Sequence, residues 1–278
     1  LLQKLVPRDE MIGPASDELL PAEQMLLLDH AHHETFGIYL RPFHRDTNAT
    51  PMIVPAMVLT DLFALNHIGL ADGEPDRRFV NGQSRPHLDF RLKVVSRVQT
   101  GVRDLDLILA GIVEMEEKRG PLLVQDAFFP VHWYASWERC CERLIDKGIC
   151  DWHMVDGHRR AVVRDPALAD RLENQIIEVI SGQRVPDPQQ AIIVSLWYAD
   201  SWAANAATAW KRREVGMGGK DFRGPKLDMT PERWEIVDAI FSQSRWGKAI
   251  GHALDAFHTA GHFEYFHEKA ALKYPIDP

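Results

Sequence analysis

Two parts of this 278-residue chain carry side chains whose types and spacing suit chemistry. The first is its histidines. His30, His32 and His33 cluster near the start, and His252, His258, His262 and His267 lie near the end. His258 and His262 are four apart and share a helix face, as a metal pair requires, and Asp255 or Glu264 could add a third ligand. There is no His-Glu-x-x-His motif, so a metal-dependent enzyme competes here with the commoner reading of solvated or capped histidines. The second part is the loop VGMGGKDFRGPKL, where Gly216, Gly218, Gly219 and Gly224 with Lys220 and Arg223 could cradle a phosphate. It lacks the strand–loop–helix setting and the terminal Lys-Ser/Thr of a nucleotide loop, which favours a connecting loop. No glycine-flanked serine elbow and no zinc-spaced cysteine pair occur. These patterns assign no catalytic residue, metal or cofactor.

A different kind of site is suggested by Trp152 beside His158, Arg159 and Arg160. Tryptophan joins an apolar body to a polar tip, and a basic turn next to it suits anionic headgroups or phosphates. The competing reading is a solvated turn, and for Trp152 burial and exposure both stay open. Trp197 and Trp202 are expected in the core, the usual place for mid-helix aromatics.

The stretch Trp137–Asp165 must position that turn. Cys140, Cys141, Leu144 and Ile145 fall on one side of a helix, with Glu138, Arg139, Glu142, Arg143, Asp146 and Lys147 on the rest. Gly148 ends the helix, because glycine takes the left-handed conformation at little cost. Strands over Ile149–Val155 and His158–Arg164 flank Asp156-Gly157, a strong hairpin signal. Asp165-Pro166 opens the next helix as N-cap and first helical residue.

Around this segment, helices are predicted from Pro21 to about His33, over Met52–Ile68, Leu105–Lys118, Val131–Lys147, Ala167–Ile180, Gln189–Arg213 and from Thr230 to about Ser244. A last helix covers about Gly247–Leu272. Strands are predicted at Arg78–Val80 and Leu88–Val98. No strand–helix alternation suggests a parallel sheet. The fold class expected is mainly α: an irregular arm over 1–21, then a single helical domain over 22–278 with a projecting β-hairpin.

Charge narrows the partners. The formal net charge is −8 and the isoelectric point about 5.9, which disfavours a general nucleic-acid binder. Three cysteines, two of them adjacent, make no disulfide framework and suggest a reducing, cytoplasmic setting. No apolar run approaches the length of a membrane span. The chain begins at Leu1 rather than Met, which leaves a removed targeting segment open.

The run RLIDKGICDWHMVDGHRRAVVRDPALADRLENQIIEVISG, followed by DPQQAIIVSLWYADSW, resembles the Golgi phosphoprotein 3 family. Leu144, Lys147, Gly148 and Ile149 match its Leu-x-x-Lys-Gly-x-Leu stop. Asp187, Pro188, Ile193, Leu196 and Ala199 approximate its next helix. Glu23, Leu26, Leu27 and Leu28 resemble its Glu-x-x-Leu-Leu-Leu helix, and Met57–Leu70 resembles the one after. The likeness covers about Leu20–Ala207, and 215–278 diverges from the family.

The resemblance implies a helical domain with a hairpin and a non-enzymatic adaptor that binds phosphatidylinositol 4-phosphate on a membrane surface. It implies peripheral membrane association, protein partners and homo-oligomers through the hairpin. This sequence departs at the phosphate pocket. The family's two helix arginines fall on Tyr134 and Trp137, its earlier Arg near Pro55 and its Trp near Arg45-Asp46, so none is carried over. Phosphate is held mainly by charge-assisted bonds from Arg and Lys, so that loss calls for a replacement. Arg41, His44 and Arg45 facing Trp137 and Arg139 would supply one. A helix, a Lys-Gly stop and an Arg-tipped hairpin also describe a winged-helix nucleic-acid module. Glu138 and Glu142 cancel the field of Arg139 and Arg143, so nucleic acid is the weaker reading.

Overall fold

A computed structural model describes residues 2–6, 19–32, 53–78, 87–134, 137–155, 158–196, 198 and 230–259. Of the described residues 63% are helical and 15% strand, a mainly α fold with a small hairpin.

The helices are α1 (Pro21–His32), α2 (Ile53–Ala64), α3 (Arg103–Arg119), α4 (Val124–Tyr134), α5 (Trp137–Asp146) and α6 (Pro166–Ile180). They continue with α7 (188–196), α8 (Pro231–Gln243) and α9 (Arg245–Thr259). Central among them is α2, which packs against α1, α3, α4 and α9. Its side chains from Ala56 to Leu59, with Leu62, are buried. One apolar cluster runs from Leu5 to Leu254. A second joins Ile176, Val179 and Ile180 of α6, Ile193 and Val194 of α7 and Val237 of α8.

The strands are short: β1 (Ile68–Leu70), β2 (Asp76–Arg78), β3 (His87–Asp89), β4 (Arg91–Val94), β5 (Leu122–Leu123), β6 (Cys150–Val155) and β7 (His158–Val163). They form antiparallel sheets β1-β4-β5, β2-β3 and β6-β7. The predicted strand Leu88–Val98 is divided at Phe90. Before it β3 pairs with β2, and after it β4 pairs with β1 and β5.

Of the predicted helices Gln189–Arg213 and Gly247–Leu272 and the predicted strand Arg78–Val80, residues 197, 199–213, 260–272 and 79–80 lie outside the described residues. Among the described residues the remaining predicted elements stand near where the patterns place them, and the differences have local causes. The predicted helix Met52–Ile68 stops at Ala64 because Asn66 takes a left-handed conformation, φ 58°. That lets Asn66 and His67 donate back to Phe63 and Leu62 and turns the chain into β1. The predicted helix Val131–Lys147 falls on the end of α4 and on α5, and residues 135–136 lie outside the described residues. Leu122–Leu123, not predicted as a strand, pairs with Arg91–Leu92. Within 1–21, Leu2–Lys4 forms a 3-10 turn, Leu5 is buried and Val6 makes a parallel bridge with Val98.

The helix ends agree with their sequence signals. Asp165 accepts a hydrogen bond from Ala167 N–H at 3.0 Å, and Thr230 Oγ1 accepts from Arg233 N–H at 3.4 Å. At the end of α5, Gly148 has φ 69°. Its N–H reaches Ile145 O at 2.8 Å and Ile149 N–H reaches Leu144 O at 2.9 Å. This paired closure aims the chain out of the helix and into the hairpin.

Candidate functional site

The hairpin rises from that cap. Register pairs Cys150 with Val163, Trp152 with Ala161 and Met154 with Arg159, so these six positions share one face. Along that face, burial falls outward. Cys150 and its neighbours Val163 and Ala161 are buried, Trp152 is half-buried against the main core, and Met154 is 70% exposed. The question left open for Trp152 is answered by packing: its indole closes the core at the hairpin's waist. On the opposite face, Arg164 grips Asp151 with two bonds of 2.7 and 2.6 Å. That pair holds the Asp151 carboxyl below its ordinary range, through the hydrogen bond first and the charge second. Farther out, the register sets His153 opposite Arg160 and Val155 opposite His158. So Trp152, His158, Arg159 and Arg160 do lie on one hairpin, with Met154 among them. The side chains of His158, Arg159 and Arg160 lie outside the described residues, as does the Asp156-Gly157 turn.

The second predicted group is only partly described. Arg41, His44 and Arg45 lie outside the described residues. Trp137 is the first residue of α5, and Arg139 is half-buried on the same helix. The glycine-rich loop and His262 also lie outside the described residues, as do the side chains of Trp197 and His258. His252 is half-buried, with its ring 6.2 Å from Phe90, and its Nδ1 accepts from Leu88 N–H at 3.4 Å. It is a packing histidine that joins α9 to β3. Among the described residues no group of three His, Cys, Asp or Glu side chains could hold a metal ion. No helix among them is long and apolar enough to cross a membrane.

Below the hairpin is a charged cluster that sequence reasoning missed. Arg143, expected on the solvated side of α5, is buried. Its Nη1 donates to Asp61 Oδ2 at 2.9 Å, and its Nη2 contacts Cys140 Sγ at 3.2 Å. Its Nε lies 3.9 Å from Glu23 Oε1 and 4.0 Å from Asp104 Oδ2. Lys147, just past the end of α5, donates to Glu23 Oε2 at 2.7 Å. That oxygen also accepts from Leu20 N–H at 2.8 Å, while Asp61 Oδ1 accepts from Ala22 N–H at 2.8 Å. The carboxylates therefore cap the start of α1, where unpaired N–H groups favour negative charge. Burial pushes the Asp61 carboxyl up to about 6, against the opposing pull of Arg143 and of Ala22 N–H. Two signals pointed to this cluster. An aspartate inside the apolar helix Met52–Ile68 must find a partner, and Arg143 keeps helical spacing with buried Cys140 and with Lys147.

The three cysteines are free and buried. Burial pushes the Cys140 thiol up to about 11 and the Cys150 thiol up to about 12. Neither is a nucleophile at neutral pH.

No protein-family model matches the chain, and no curated protein sequence matches it.

Proposed function

We propose that this protein is a non-enzymatic adaptor that docks on an anionic membrane surface through its β6–β7 hairpin. The observation that carries this reading is Met154, 70% exposed at the outer end of a face whose inner positions are buried. Its register partner is Arg159, and Arg160 and His153 pair beside it. An exposed apolar residue on a hairpin whose register also carries two arginines suits the boundary between headgroups and acyl chains, where each element finds its own partner. The resemblance to the Golgi phosphoprotein 3 family points the same way, and the phosphate of a phosphoinositide headgroup is the ligand it suggests. Arg41, His44 and Arg45 with Trp137 and Arg139 are the second anionic contact proposed, replacing the family arginines that this chain lacks. The winged-helix alternative is weakened by Arg143, since a guanidinium buried against Asp61 offers nothing to a nucleic-acid backbone.

Flotation with vesicles tests the reading. Binding is expected to vesicles of phosphatidylcholine carrying phosphatidylserine or phosphatidylinositol 4-phosphate, and not to phosphatidylcholine alone. Arg159→Glu with Arg160→Glu should abolish it while leaving the helical circular dichroism intact. Equal, negligible flotation with all three vesicles overturns the reading. Salt-dependent retention on duplex DNA without flotation would replace it with the nucleic-acid alternative. Self-association lost in the hairpin variant, again without flotation, would replace it with a homo-oligomer contact.

A further inference from the structure

Among the described residues, the charges around Arg143 do not balance. Glu23 of α1, Asp61 of α2 and Asp104 of α3 bring three carboxylates against the cations of Arg143 and Lys147. Those acid side chains are 0%, 0% and 9% exposed. The hydrogen bonds do not balance either. Arg143 Nε, Glu23 Oε1 and Asp104 Oδ2 are buried without a hydrogen-bond partner. The donor thus faces two acceptors, at 3.9 and 4.0 Å, while the guanidinium is held by Asp61.

We propose that this cluster binds one proton, on Asp61, and that the proton moves Arg143 from Asp61 to the unbonded oxygens Glu23 Oε1 and Asp104 Oδ2. An O–H bond forms on Asp61 with a proton from solvent, and the formal charge of the five groups goes from −1 to zero. Arg143 Nε then needs to move about 1 Å to reach ordinary hydrogen-bond distance from either oxygen. Asp61 keeps its bond from Ala22 N–H through its other oxygen.

The groups facing Asp61 fit this exchange. Glu23 from α1 favours the neutral acid, and Arg143 and Ala22 N–H oppose it. Cys140 of α5 lies beside the same guanidinium, as does Asp104 of α3. The other two helices packed on α2, α4 and α9, meet it through the apolar cluster and a Trp246–Thr60 hydrogen bond. Burial sets the proton's release near pH 6. The cluster also joins the capped start of α1 to Lys147, the residue before Gly148, where the hairpin begins. Proton uptake therefore acts at the hairpin's root, whatever the hairpin docks on.

The sign follows from linkage. Asp61 has its folded value raised to about 6 from 3.8. Its stabilising contribution is fully present below 3.8 and is lost as pH rises through 6. Between pH 7.5 and 5 this group alone lowers the unfolding equilibrium constant about tenfold.

Carbon-detected NMR of the wild-type protein tests this. One aspartate carboxyl should titrate near pH 6 and be missing from the spectrum of Asp61→Asn, and the Arg143 Nε signal should shift with the same midpoint. Glu23→Gln keeps the cap on Leu20 and should lower that midpoint by removing a negative neighbour. If Asp61→Asn fails to fold, sequential assignment in the wild type identifies the carboxyl. An Asp61 that titrates in the ordinary carboxylate range, or an Arg143 Nε that does not move with it, overturns the proposal.

Discussion

Arg143 and Asp61 lie 82 residues apart in sequence and meet at 2.9 Å with side chains 8% and 0% exposed. Neither charge has water to fall back on. Removing one partner of a buried pair leaves the other uncompensated, which typically costs about 3–5 kcal/mol. Arg143→Met should cost that much in urea denaturation at pH 7.5, since Glu23 and Asp104 lose the same cation. Asp61→Asn should cost less, because it removes a charge from a cluster with one carboxylate too many. Equal losses for the two variants would show that the excess carboxylate is of no consequence.

Gly148 tests the cap that launches the hairpin. At φ 69° any side chain is strained, although a Cβ there would meet nothing nearer than Arg164 Nη1 at 3.4 Å. The cost is therefore conformational, about 1–2 kcal/mol for Gly148→Ala, seen as a lower denaturation midpoint. Gly148→Asn should cost less, because asparagine tolerates the left-handed region.

The cap, the hairpin and α6 were legible in sequence because local chemistry decides them. Gly148 and Asp165-Pro166 act over a few residues, and nothing tertiary overrides them. Arg143 was misplaced for a tertiary reason. On a helical wheel it sits among charges, and only Asp61, Glu23 and Asp104 on three other helices make its burial tolerable. Met154 went unnoticed because exposure is a property of the packed body, not of the strand pattern. Trp246, stacked 4.3 Å from Phe63 and donating to Thr60 Oγ1 at 3.0 Å, is a core anchor that no periodicity singled out.

The cysteines should be silent in the native state. Cys140, Cys141 and Cys150 are 1%, 2% and 0% exposed, and burial raises the thiols of Cys140 and Cys150 to about 11 and 12. Only the thiolate attacks a disulfide reagent, and it must also be reached. At pH 8, Ellman's reagent should label no cysteine in the folded protein and all three in guanidinium. Prompt labelling of one native thiol would mean that α5 or the hairpin base opens readily.

The membrane docking proposed for the hairpin would have an apolar part and a charged part that can be separated. Arginines near an anionic surface contribute about 1 kcal/mol each and are screened by salt. Met154 would contribute through area removed from water, on the order of 1–2 kcal/mol, with little dependence on salt. Met154→Ser should therefore weaken vesicle binding about five- to thirtyfold at every salt concentration, leaving the slope against salt unchanged. Arg160→Gln should instead reduce that slope. Met154 is 70% exposed, so its replacement costs the fold little, and thermal melts of the variant should match the wild type. A Met154→Ser variant that binds as tightly as the wild type would leave the hairpin's exposed apolar end without a role at the membrane.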